Sequence, residues 1–481
     1  MIPSGSGRFT SLGPPSLDRY NLAFRGVGTN AQEGFYIQVN TSGLTNAADR
    51  NTAIPNGTGP FTLFSTQAEL TDGDTIFGGL GSNGQRGIYL NRTGTLTRIA
   101  DTNTPIPGGT GTFSATFNFA STDNGHAAFR GTGSGGQAGI YGWDGLAMTN
   151  LADLTTSIPD GSGTFTNYGD PSLDRGIVAF QGMGTGNQMG IYVWKGGTLA
   201  RVADTNTAIP SGSGAFTSIA SSASVDGGNI AFRGLGSGGQ DGIYAWINGA
   251  LSVVADTNTA MPSQASAFRA FGAAPSINAG YVAFSGSGDG MTGIYANVGG
   301  SLSAVVTITN ILDGKAVTAL SVGRNMLSGE RVAFNATYAA GSGVYLAATA
   351  DTDADGMPDW WESANGLDPF DNGATNVANG ADGDPDADAV SNYEEYTAYT
   401  VPSTNLVYPH CTAIAKASNS TARVVTFASS LHRIYTFISS AEFTGTWTTV
   451  TNDFPGHGPS ESFTNAVAGP QAYYSFSVEL P

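Results

Sequence analysis

The sequence contains one cysteine, Cys411, among its 481 residues. A single thiol excludes an internal disulfide framework and any zinc site built from several cysteines, but it does not exclude an oxidising compartment. Long apolar runs are also absent, since no segment approaches the roughly 18 residues that cross a bilayer. The first residues, MIPSGSGRFT, lack the basic and apolar regions of a signal peptide. We therefore expect no transmembrane segment.

Charged residues are scarce, at 12% of the chain, and basic residues are the scarcer kind. The 37 acidic residues outnumber 19 basic ones, which gives a formal net charge of -18. Such a surface repels the phosphates of nucleic acids and of anionic lipids, so we expect no nucleic-acid partner. Glycine is abundant instead, with 69 residues, which indicates many turns and few helices.

One pattern of about 52 residues recurs seven times before Asp351. Each copy has a core Phe followed by a core Tyr; the Phe series is Phe24, Phe77, Phe129, Phe180, Phe232, Phe284 and Phe334, and the Tyr series is Tyr36, Tyr89, Tyr141, Tyr192, Tyr244, Tyr295 and Tyr345. A repeat of about 50 residues with several short strands is typical of a β-propeller blade. We predict an all-β fold, with a seven-bladed propeller over residues 1–350.

The predicted blade has four strands, and the fourth strand is missing from the last copy. Six copies carry it, around Leu44, Leu96, Met148, Leu199, Leu251 and Leu302. After Tyr345 the chain runs directly into an acidic segment. Circular propellers often close with an N-terminal strand, so we expect such a strand before Ile2. On this hypothesis the sequence is truncated at its start, and the lost part also held a secretion signal.

Three arginines follow the core Phe of their repeats: Arg25, Arg130 and Arg233. Guanidinium groups bind carboxylates through two parallel hydrogen bonds, so these residues are candidate ligands for a carboxylated sugar. The alternative is that they are solvated or paired with loop aspartates.

Two further motifs predict turns. Ser121–Gly125, Ser172–Gly176 and Ser224–Gly228 resemble the Asp-box hairpin of sialidases, although the following aromatic residue comes one position late. We expect the aspartate to cap the amides of its own turn. Asp101–Thr104 and its equivalents favour Asx turns, with weak calcium binding as the alternative.

The segment 351–400 changes abruptly to Asp, Asn and Gly. Its spacing matches the calcium-loop template DxDxDGxxDxxE twice, because hard oxygen ligands recur at alternate positions and a glutamate follows at the twelfth. The first predicted ligand set is Asp351, Asp353, Asp355, the Met357 carbonyl, Asp359 and Glu362. The second is Asp384, Asp386, Asp388, the Val390 carbonyl, Asn392 and Glu395, with Ala389 where the template has glycine.

With Gly366-Leu367-Asp368-Pro369 between the two copies, about 45 residues resemble the thrombospondin type 3-like repeats of secreted bacterial proteins. The resemblance implies bound Ca²⁺, calcium-dependent stiffening between domains and an extracellular setting. The alternative is a flexible acidic linker.

The last part, residues 401–481, alternates apolar and polar residues in four predicted strands: Ala422 to Phe427, Ile434 to Ser439, Thr446 to Val450 and Tyr473 to Val478. This pattern predicts a small β-sandwich. The run Arg433 to Ser440, followed by Trp447 and Tyr473-Tyr474, resembles the C-terminal sandwich of secreted proteins from Verrucomicrobia-like bacteria. That resemblance implies adhesion to a surface or to carbohydrate.

Together these features predict a secreted or cell-surface calcium-binding protein. Its propeller would bind an extracellular glycan or protein without catalysis and as a monomer, and we assign no catalytic residue. The alternatives are a glycan-active enzyme of sialidase or lyase type and a structural matrix protein.

Overall fold

The computed structural model describes residues 2, 3, 5, 7–39, 43–114, 119–262, 264–404, 410–417, 422–430, 432–441, 446–456, 458, 460–466 and 472–481. Every candidate site residue named above is among them. Met1 and several parts of the predicted C-terminal domain lie outside the described residues. The chain divides into two compact units: Met1–Asn278, Val282–Val298 and Leu302–Ala347, and Ala279–Tyr281, Gly299–Ser301 and Ala348–Pro481.

Antiparallel sheets of four or five strands follow one another along the first unit. The first contains β1 (Phe9–Leu12), β2 (Ser16–Asp18), β3 (Asn21–Gly28), β4 (Glu33–Gln38) and β5 (Thr45–Asp49). The second contains β6 (Phe61–Thr71), β7 (Asp74–Gly81), β8 (Arg86–Arg92) and β9 (Thr95–Asp101). The third contains β10 (Ala120–Asp123), β11 (His126–Thr132), β12 (Ala138–Trp143) and β13 (Met148–Asp153).

The same order continues through the next three sheets. The fourth contains β14 (Phe165–Tyr168), β15 (Ser172–Asp174), β16 (Ile177–Gly184), β17 (Met189–Lys195) and β18 (Thr198–Asp204). The fifth contains β19 (Phe216–Asp226), β20 (Asn229–Gly236), β21 (Asp241–Ile247) and β22 (Ala250–Asp256). The sixth contains β23 (Ala270–Phe271), β24 (Ser276–Asn278), β25 (Tyr281–Gly288), β26 (Met291–Val298) and β27 (Ser301–Thr307).

A small hairpin precedes the last sheet of this unit; it is β28 (Ile311–Leu312) and β29 (Lys315–Ala316). The last sheet contains β30 (Ala319–Ser321), β31 (Leu327–Ser328), β32 (Arg331–Tyr338) and β33 (Gly341–Ala347). Short 3-10 turns lie at Thr29–Ala31 and Thr185–Asn187. Five-stranded sheets arise where the first strand is split in two, as β1 and β2 both pair with β3. The all-β prediction is confirmed, and the fold is a β-propeller.

The Phe and Tyr that mark each repeat face each other across the second and third strands. Phe77 lies opposite Tyr89, and the same pairing recurs in all the sheets just described. The two ring centroids are 6.1 Å apart in the second sheet. Because directly opposite side chains are the closest neighbours in an antiparallel pair, one Phe–Tyr couple packs together in each of these sheets.

Neighbouring sheets are joined by hydrogen bonds from the Ser-x-Asp segments. The Ser172 hydroxyl accepts from Val225 N at 3.2 Å, and the Asp174 carboxylate accepts from Gly227 N at 2.5 Å. Asp18, Asp123 and Asp174 therefore cap the hairpin turn of the following sheet, whereas the sequence predicted a cap of the aspartate's own turn. The partner is about 52 residues away in the chain, so no local pattern reports it.

The last sheet is joined to the first in the same way. Leu17 N donates to Asn325 O at 2.7 Å, and Arg19 N donates to the Ser328 hydroxyl at 2.7 Å. The Arg331 guanidinium also lies 4.1 Å from the centroid of the Tyr20 ring. The ring of sheets is thereby closed.

The second unit has two short helices, α1 (Asp359–Asn365) and α2 (Asn392–Ala398). Its strands are β34 (Cys411–Lys416), β35 (Arg423–Phe427), β36 (Ile434–Ser440), β37 (Thr448–Pro455), β38 (Glu461–Asn465) and β39 (Tyr473–Glu479). They form two three-stranded sheets, β34-β35-β38 and β37-β36-β39. Both sheets contribute to one apolar core, which includes Phe427, Phe437 and Phe463. Within the described residues, neither helix is long and apolar enough to cross a membrane.

Candidate metal centre

The first acidic loop brings three carboxylates together ahead of α1. Single carboxylate oxygens of Asp351, Asp353 and Asp355 all lie within 4.8 Å of one another. Backbone amides hold them in place, since Gly356 N donates to Asp351 Oδ2 at 3.1 Å and Met357 N donates to Asp355 Oδ1 at 2.9 Å. Gly356 has a φ of 97°, which glycine adopts without steric cost. Hydrogen bonds between the loop's own amides and its aspartates therefore hold the three carboxylates close together.

Glu362 lies on α1 and adds a carboxylate group that is fully buried, with 0% exposure. Neither of its carboxylate oxygens has a hydrogen-bond partner in the part of the chain that the structure describes. Burial, followed by the nearby charges of Asp353 and Asp355, raises the pKa of Glu362 to about 8. A buried carboxylate without a donor is costly unless a cation or a proton neutralises it. The residues present therefore fit a hard divalent cation.

Two predicted ligands of this loop have other contacts. Both oxygens of Asp359 accept hydrogen bonds from Thr352, one from the backbone N and one from the hydroxyl, each at 2.7 Å. Asp359 thus fastens the loop to the start of α1. The Met357 side chain is buried in an apolar cluster with Trp361, Leu367 and Tyr396. This packing explains how the loop is anchored.

The second acidic loop repeats the arrangement at Asp384, Asp386 and Asp388. Ala389 N donates to Asp384 Oδ2 at 3.0 Å, and Val390 N donates to Asp388 Oδ1 at 3.0 Å. Ala389 has a φ of 72°, so an alanine occupies a left-handed conformation at the position where the first loop has Gly356.

Glu395 and Asn392 lie behind this loop on α2. Glu395 is 2% exposed, and its Oε2 has no hydrogen-bond partner among the described residues. Burial and the charges of Asp386 and Asp388 raise the pKa of Glu395 to about 7. The Asn392 amide donates to Ala378 O and Gly380 O, each at 2.8 Å, and so ties the preceding loop to the helix.

The two loops contact each other. The Asp355 carboxylate accepts a hydrogen bond from the backbone N of Ala381, which lies just ahead of the second loop. Trp361 of α1 and Tyr396 of α2 pack edge to face with ring centroids 5.4 Å apart. The geometry of one loop is therefore linked to that of the other.

Arg433 is a site residue that the sequence analysis did not identify. It is 1% exposed, and its guanidinium donates to Thr397 O at 2.6 Å and also to Tyr396 O, at the end of α2. A cation at a helix C-terminus satisfies carbonyls that have no partner within the helix. The start of α2 could have been predicted from the sequence, because Ser391 and Glu394 have the spacing of a capping box. The structure shows that they form one.

The Asp-Thr-Asn-Thr segments of the first unit form turns. Asp101 Oδ1 accepts from Asn103 N at 2.9 Å and from the Thr104 hydroxyl at 2.9 Å. Asp101 Oδ2 accepts from Gln85 at 2.6 Å and from Arg98 at 3.0 Å. Both oxygens are engaged by donors, as the turn interpretation requires.

The three candidate arginines each have a carboxylate neighbour. Arg25 pairs with Glu33 at 2.6 Å and Arg233 with Asp241 at 2.7 Å, in both cases eight residues later in the same sheet. Arg130 lies 3.6 Å from Asp170. These contacts agree with the paired alternative, and a role in binding a carboxylated sugar stays a prediction.

Glu69, a buried residue of β6, and Arg324, a half-buried residue between β30 and β31, are charged groups that contact other sheets of the propeller. Glu69 accepts from the Ser121 hydroxyl and from Thr122 N, the latter at 3.2 Å. Arg324 of the last sheet donates to Pro171 O of the fourth sheet at 2.8 Å. Burial raises the pKa of Glu69, and Arg324 opposes that rise. These contacts tie inner segments of different sheets to one another.

A family model covers most of the propeller: residues 19–351 match DUF7453, a family of unknown function. The chain belongs to the DUF7453 family. No curated protein matches the sequence. The matched range ends where the first acidic loop begins, so the DUF7453 model covers the propeller repeats and not the acidic loops.

Several solved propellers are similar to this DUF7453 chain in fold. The β-propeller domain of the Trilobed protease from Pyrococcus furiosus is 10% identical with a TM-score of 0.42, over 71% of this chain and 96% of that one. A prolyl endopeptidase is 12% identical with a TM-score of 0.44, over 70% and 47% of the respective chains. The Aleuria aurantia lectin is 12% identical with a TM-score of 0.33, over 63% and 97%. Similarity at this level assigns neither ligand nor reaction.

Proposed function

We propose that this protein is an extracellular calcium-binding protein whose propeller binds a glycan or another protein without catalysing a reaction. The observation that supports calcium is the buried Glu362 carboxylate, which is close to the charges of Asp353 and Asp355 and has no donor within the described residues. Calcium binds six to eight oxygen ligands, and loops of this template supply most of them. We count each of the propeller's sheets as one blade, which makes seven.

In the proposed sites, bound calcium would supply the positive charge that keeps the buried carboxylates ionised. Asp351, Asp353, Asp355 and Glu362 would hold the first ion, and Asp384, Asp386, Asp388 and Glu395 the second. Asp359 and Asn392 would contribute the oxygens at the ninth position of each loop, and they also orient the loops through their hydrogen bonds to Thr352 and to the 378–380 segment. The Met357 and Val390 carbonyls complete the predicted sets.

The loops favour an extracellular setting because extracellular modules of this type bind calcium at roughly 0.1–1 mM, far above cytosolic calcium levels. The resemblance to thrombospondin type 3-like repeats points the same way. The net charge of -18 makes copies of the protein repel one another, which favours a monomer. The binding surface would lie on the loops between strands, which vary from sheet to sheet.

Titration calorimetry of the full chain with calcium tests the metal sites. Glu362→Gln keeps the shape of the side chain and removes its charge, so we expect the first site to weaken at least tenfold, and Glu395→Gln should do the same for the second. Glu394→Gln is the matched control, since Glu394 lies beside Glu395 but is exposed and only caps α2. Calcium heats that are absent in the wild type, or equal in all variants, would refute the metal sites.

A glycan array probed with the full chain in millimolar calcium tests the binding role. Retained ligands that mass spectrometry finds unaltered would support a lectin-like propeller. Altered ligands would instead establish an enzyme, and no retained ligand would contradict glycan binding and leave a protein partner as the remaining form of the proposal.

A further inference from the structure

Glu69 is an exception to a pattern that the other inner strands share. The residue eight positions before the core Phe is a serine in five repeats: Ser16, Ser121, Ser172, Ser224 and Ser276. Each of these hydroxyls accepts a hydrogen bond from a backbone N of the following sheet. Glu69 has this position in the second repeat, and its carboxylate accepts from Thr122 N in the same way, at 3.2 Å. One hydroxyl oxygen is enough for this bond, so the bond does not explain why the second repeat has a charged side chain.

Arg324 is a second exception, ten positions before the core Phe of the last repeat. No other repeat has a basic residue there; the equivalents are Pro14, Gln67, Phe119, Asp170, Ser222 and Ala274. One nitrogen of the guanidinium, Nη2, donates to Pro171 O of the fourth sheet at 2.8 Å and to Ala223 O of the fifth at 3.4 Å. Backbone carbonyls of two other sheets therefore hold the guanidinium in position.

A cavity of about 10 Å³ adjoins both exceptional residues. Its lining includes Glu69 and Gln67 of the second sheet, Phe119 ahead of the third, and Arg324 and Asn325 of the last. A space of this volume holds about one water molecule when the site is polar. Since the lining comes from sheets that are distant in the sequence, only the closed ring of sheets creates this cavity.

The polar groups of the cavity have hydrogen-bonding capacity that the protein leaves unused. Arg324 Nη1 is buried and has no hydrogen-bond partner in the ranges that the structure describes. The Glu69 carboxylate is 6% exposed and accepts from three donors, which belong to Ser121, Thr122 and Asn325. Arg324 acts on Glu69 through its charge. Because a buried N–H without an acceptor is costly, the cavity favours a guest that accepts from Nη1.

The chemistry of the two charged groups restricts the guest further. Ionised Glu69 and Arg324 have opposite charges, so a guest ion would upset this balance, whereas a neutral group would not. A hydroxyl both donates and accepts, which suits an acceptor and a donor on the same cavity. Gln67 and Phe119 are only half-buried, so part of the lining reaches the surface. Pockets for small ligands commonly combine an aromatic ring with a few polar groups in this way.

We propose that the cavity at Glu69 and Arg324 binds one hydroxyl group, which accepts a hydrogen bond from Arg324 Nη1 and donates one to the Glu69 carboxylate. Water supplies the hydroxyl in the free protein, and a neutral polyhydroxy ligand such as a sugar replaces it. The sugar as source rests on the proposed function, whereas water would occupy the site even if the propeller bound no glycan.

A high-resolution crystal structure of the full chain, grown without polyols, tests water as the source. We expect one solvent oxygen within about 3.2 Å of both Arg324 Nη1 and a Glu69 carboxylate oxygen.

Saturation-transfer NMR on the full chain, with glycerol and methyl α-D-glucopyranoside as probes, tests the sugar as the source. We expect the transfer to be roughly fivefold weaker in Glu69→Ser than in the wild type, since one hydrogen bond to the probe is lost. Serine at this position can still accept from Thr122 N, as the serines of five other repeats do from their partners, so the variant should fold. Asp144→Ser is the control, because it removes an acidic charge at an exposed turn away from the cavity.

The two measurements together decide the proposal. A solvent oxygen at the expected place supports it with water as the source, even when neither probe binds and the glycan role fails. Probe signals that Glu69→Ser weakens and Asp144→Ser does not support it with the sugar as the source. An empty cavity, together with probe signals that are absent or equal in all three proteins, would overturn it.

Discussion

Asp18 is half-buried and Asp123 is buried, and the hydrogen-bond partners of both carboxyl groups lie on the following sheet. Asp123 accepts from Arg175 N at 2.6 Å. Burial, followed by the charge of Asp174, raises the pKa of Asp123 to about 7, and burial likewise raises that of Asp18 to about 6. Because these folded-state pKa values exceed that of an unfolded aspartate, the native state binds extra protons between about pH 4 and pH 7. Their contribution to stability is therefore present in acid and lost as the pH rises through 7.

Asp123→Asn should remove this pH dependence. The amide oxygen can keep the hydrogen bond, as Asn278 does with Gly329 N in the last sheet. We expect the free energy of unfolding at pH 8 to increase by on the order of 2 kcal/mol, with little change at pH 4. Thermal melts at the two pH values measure this. Asp144→Asn, at an exposed turn, is the control and should not raise the melting temperature at pH 8.

Ala389→Gly should strengthen calcium binding by the second loop. Alanine in the left-handed conformation costs about 1 kcal/mol, which corresponds to roughly a fivefold change in affinity. The reverse change, Gly356→Ala, should weaken the first site, since its Cβ would also lie 3.1 Å from the Tyr393 ring. Calorimetry that finds equal affinities for Ala389→Gly and wild type would show that this conformation does not limit binding.

Secondary-structure elements in the propeller depend on partners in the next repeat. The inner strands carry short polar segments whose side chains accept from backbone amides of the following sheet, as Ser16 does from Leu70 N at 2.9 Å. A buried backbone N–H without an acceptor is costly, so each hydroxyl stabilises a strand that is not its own.

Ser172→Ala tests this arrangement. The change would leave Val225 N without its acceptor, and we expect the free energy of unfolding to fall by about 1–3 kcal/mol. Thr166→Ala removes an exposed hydroxyl that donates to Met183 O at 3.2 Å, and it should change stability by less than about 0.5 kcal/mol. Equal losses of stability in the two variants would mean that the hydrogen bond from Val225 N to Ser172 contributes no more than an exposed hydrogen bond within one sheet.

For the whole molecule, the contact between the first and last sheets closes the ring. The Arg331 guanidinium stacks on the Tyr20 ring and donates to its hydroxyl at 2.6 Å. Unlike most contacts of the propeller, this one joins residues that are 311 positions apart.

Arg331→Ala should therefore loosen the first and last sheets together. We expect the free energy of unfolding to fall by about 1 kcal/mol and hydrogen exchange to become faster in both β3 and β32. Arg269→Ala is the control, because the Arg269–Asp289 ion pair is largely exposed and such pairs contribute little. Faster exchange in β32 alone would contradict the view that this contact acts on both sheets.

The sequence by itself determined the features that depend on local spacing. Strand alternation and the recurring Phe and Tyr predicted the all-β repeat, because cross-strand neighbours follow from hairpins of fixed length. The alternating aspartates with Gly356 and Glu362 predicted the clustered carboxylates of the first acidic loop for the same reason, since these residues lie within twelve positions. The Ser391 and Glu394 spacing likewise indicates the start of α2.

The tertiary structure decided which polar groups meet across long separations. It placed the Asp174 carboxylate on the next sheet's turn and brought Arg433 to the end of α2. It also decided the burial of Glu362, on which the calcium proposal depends. Hydrogen bonds and desolvation act between groups that packing brings together, and the packing of distant segments leaves no periodic trace in one sequence.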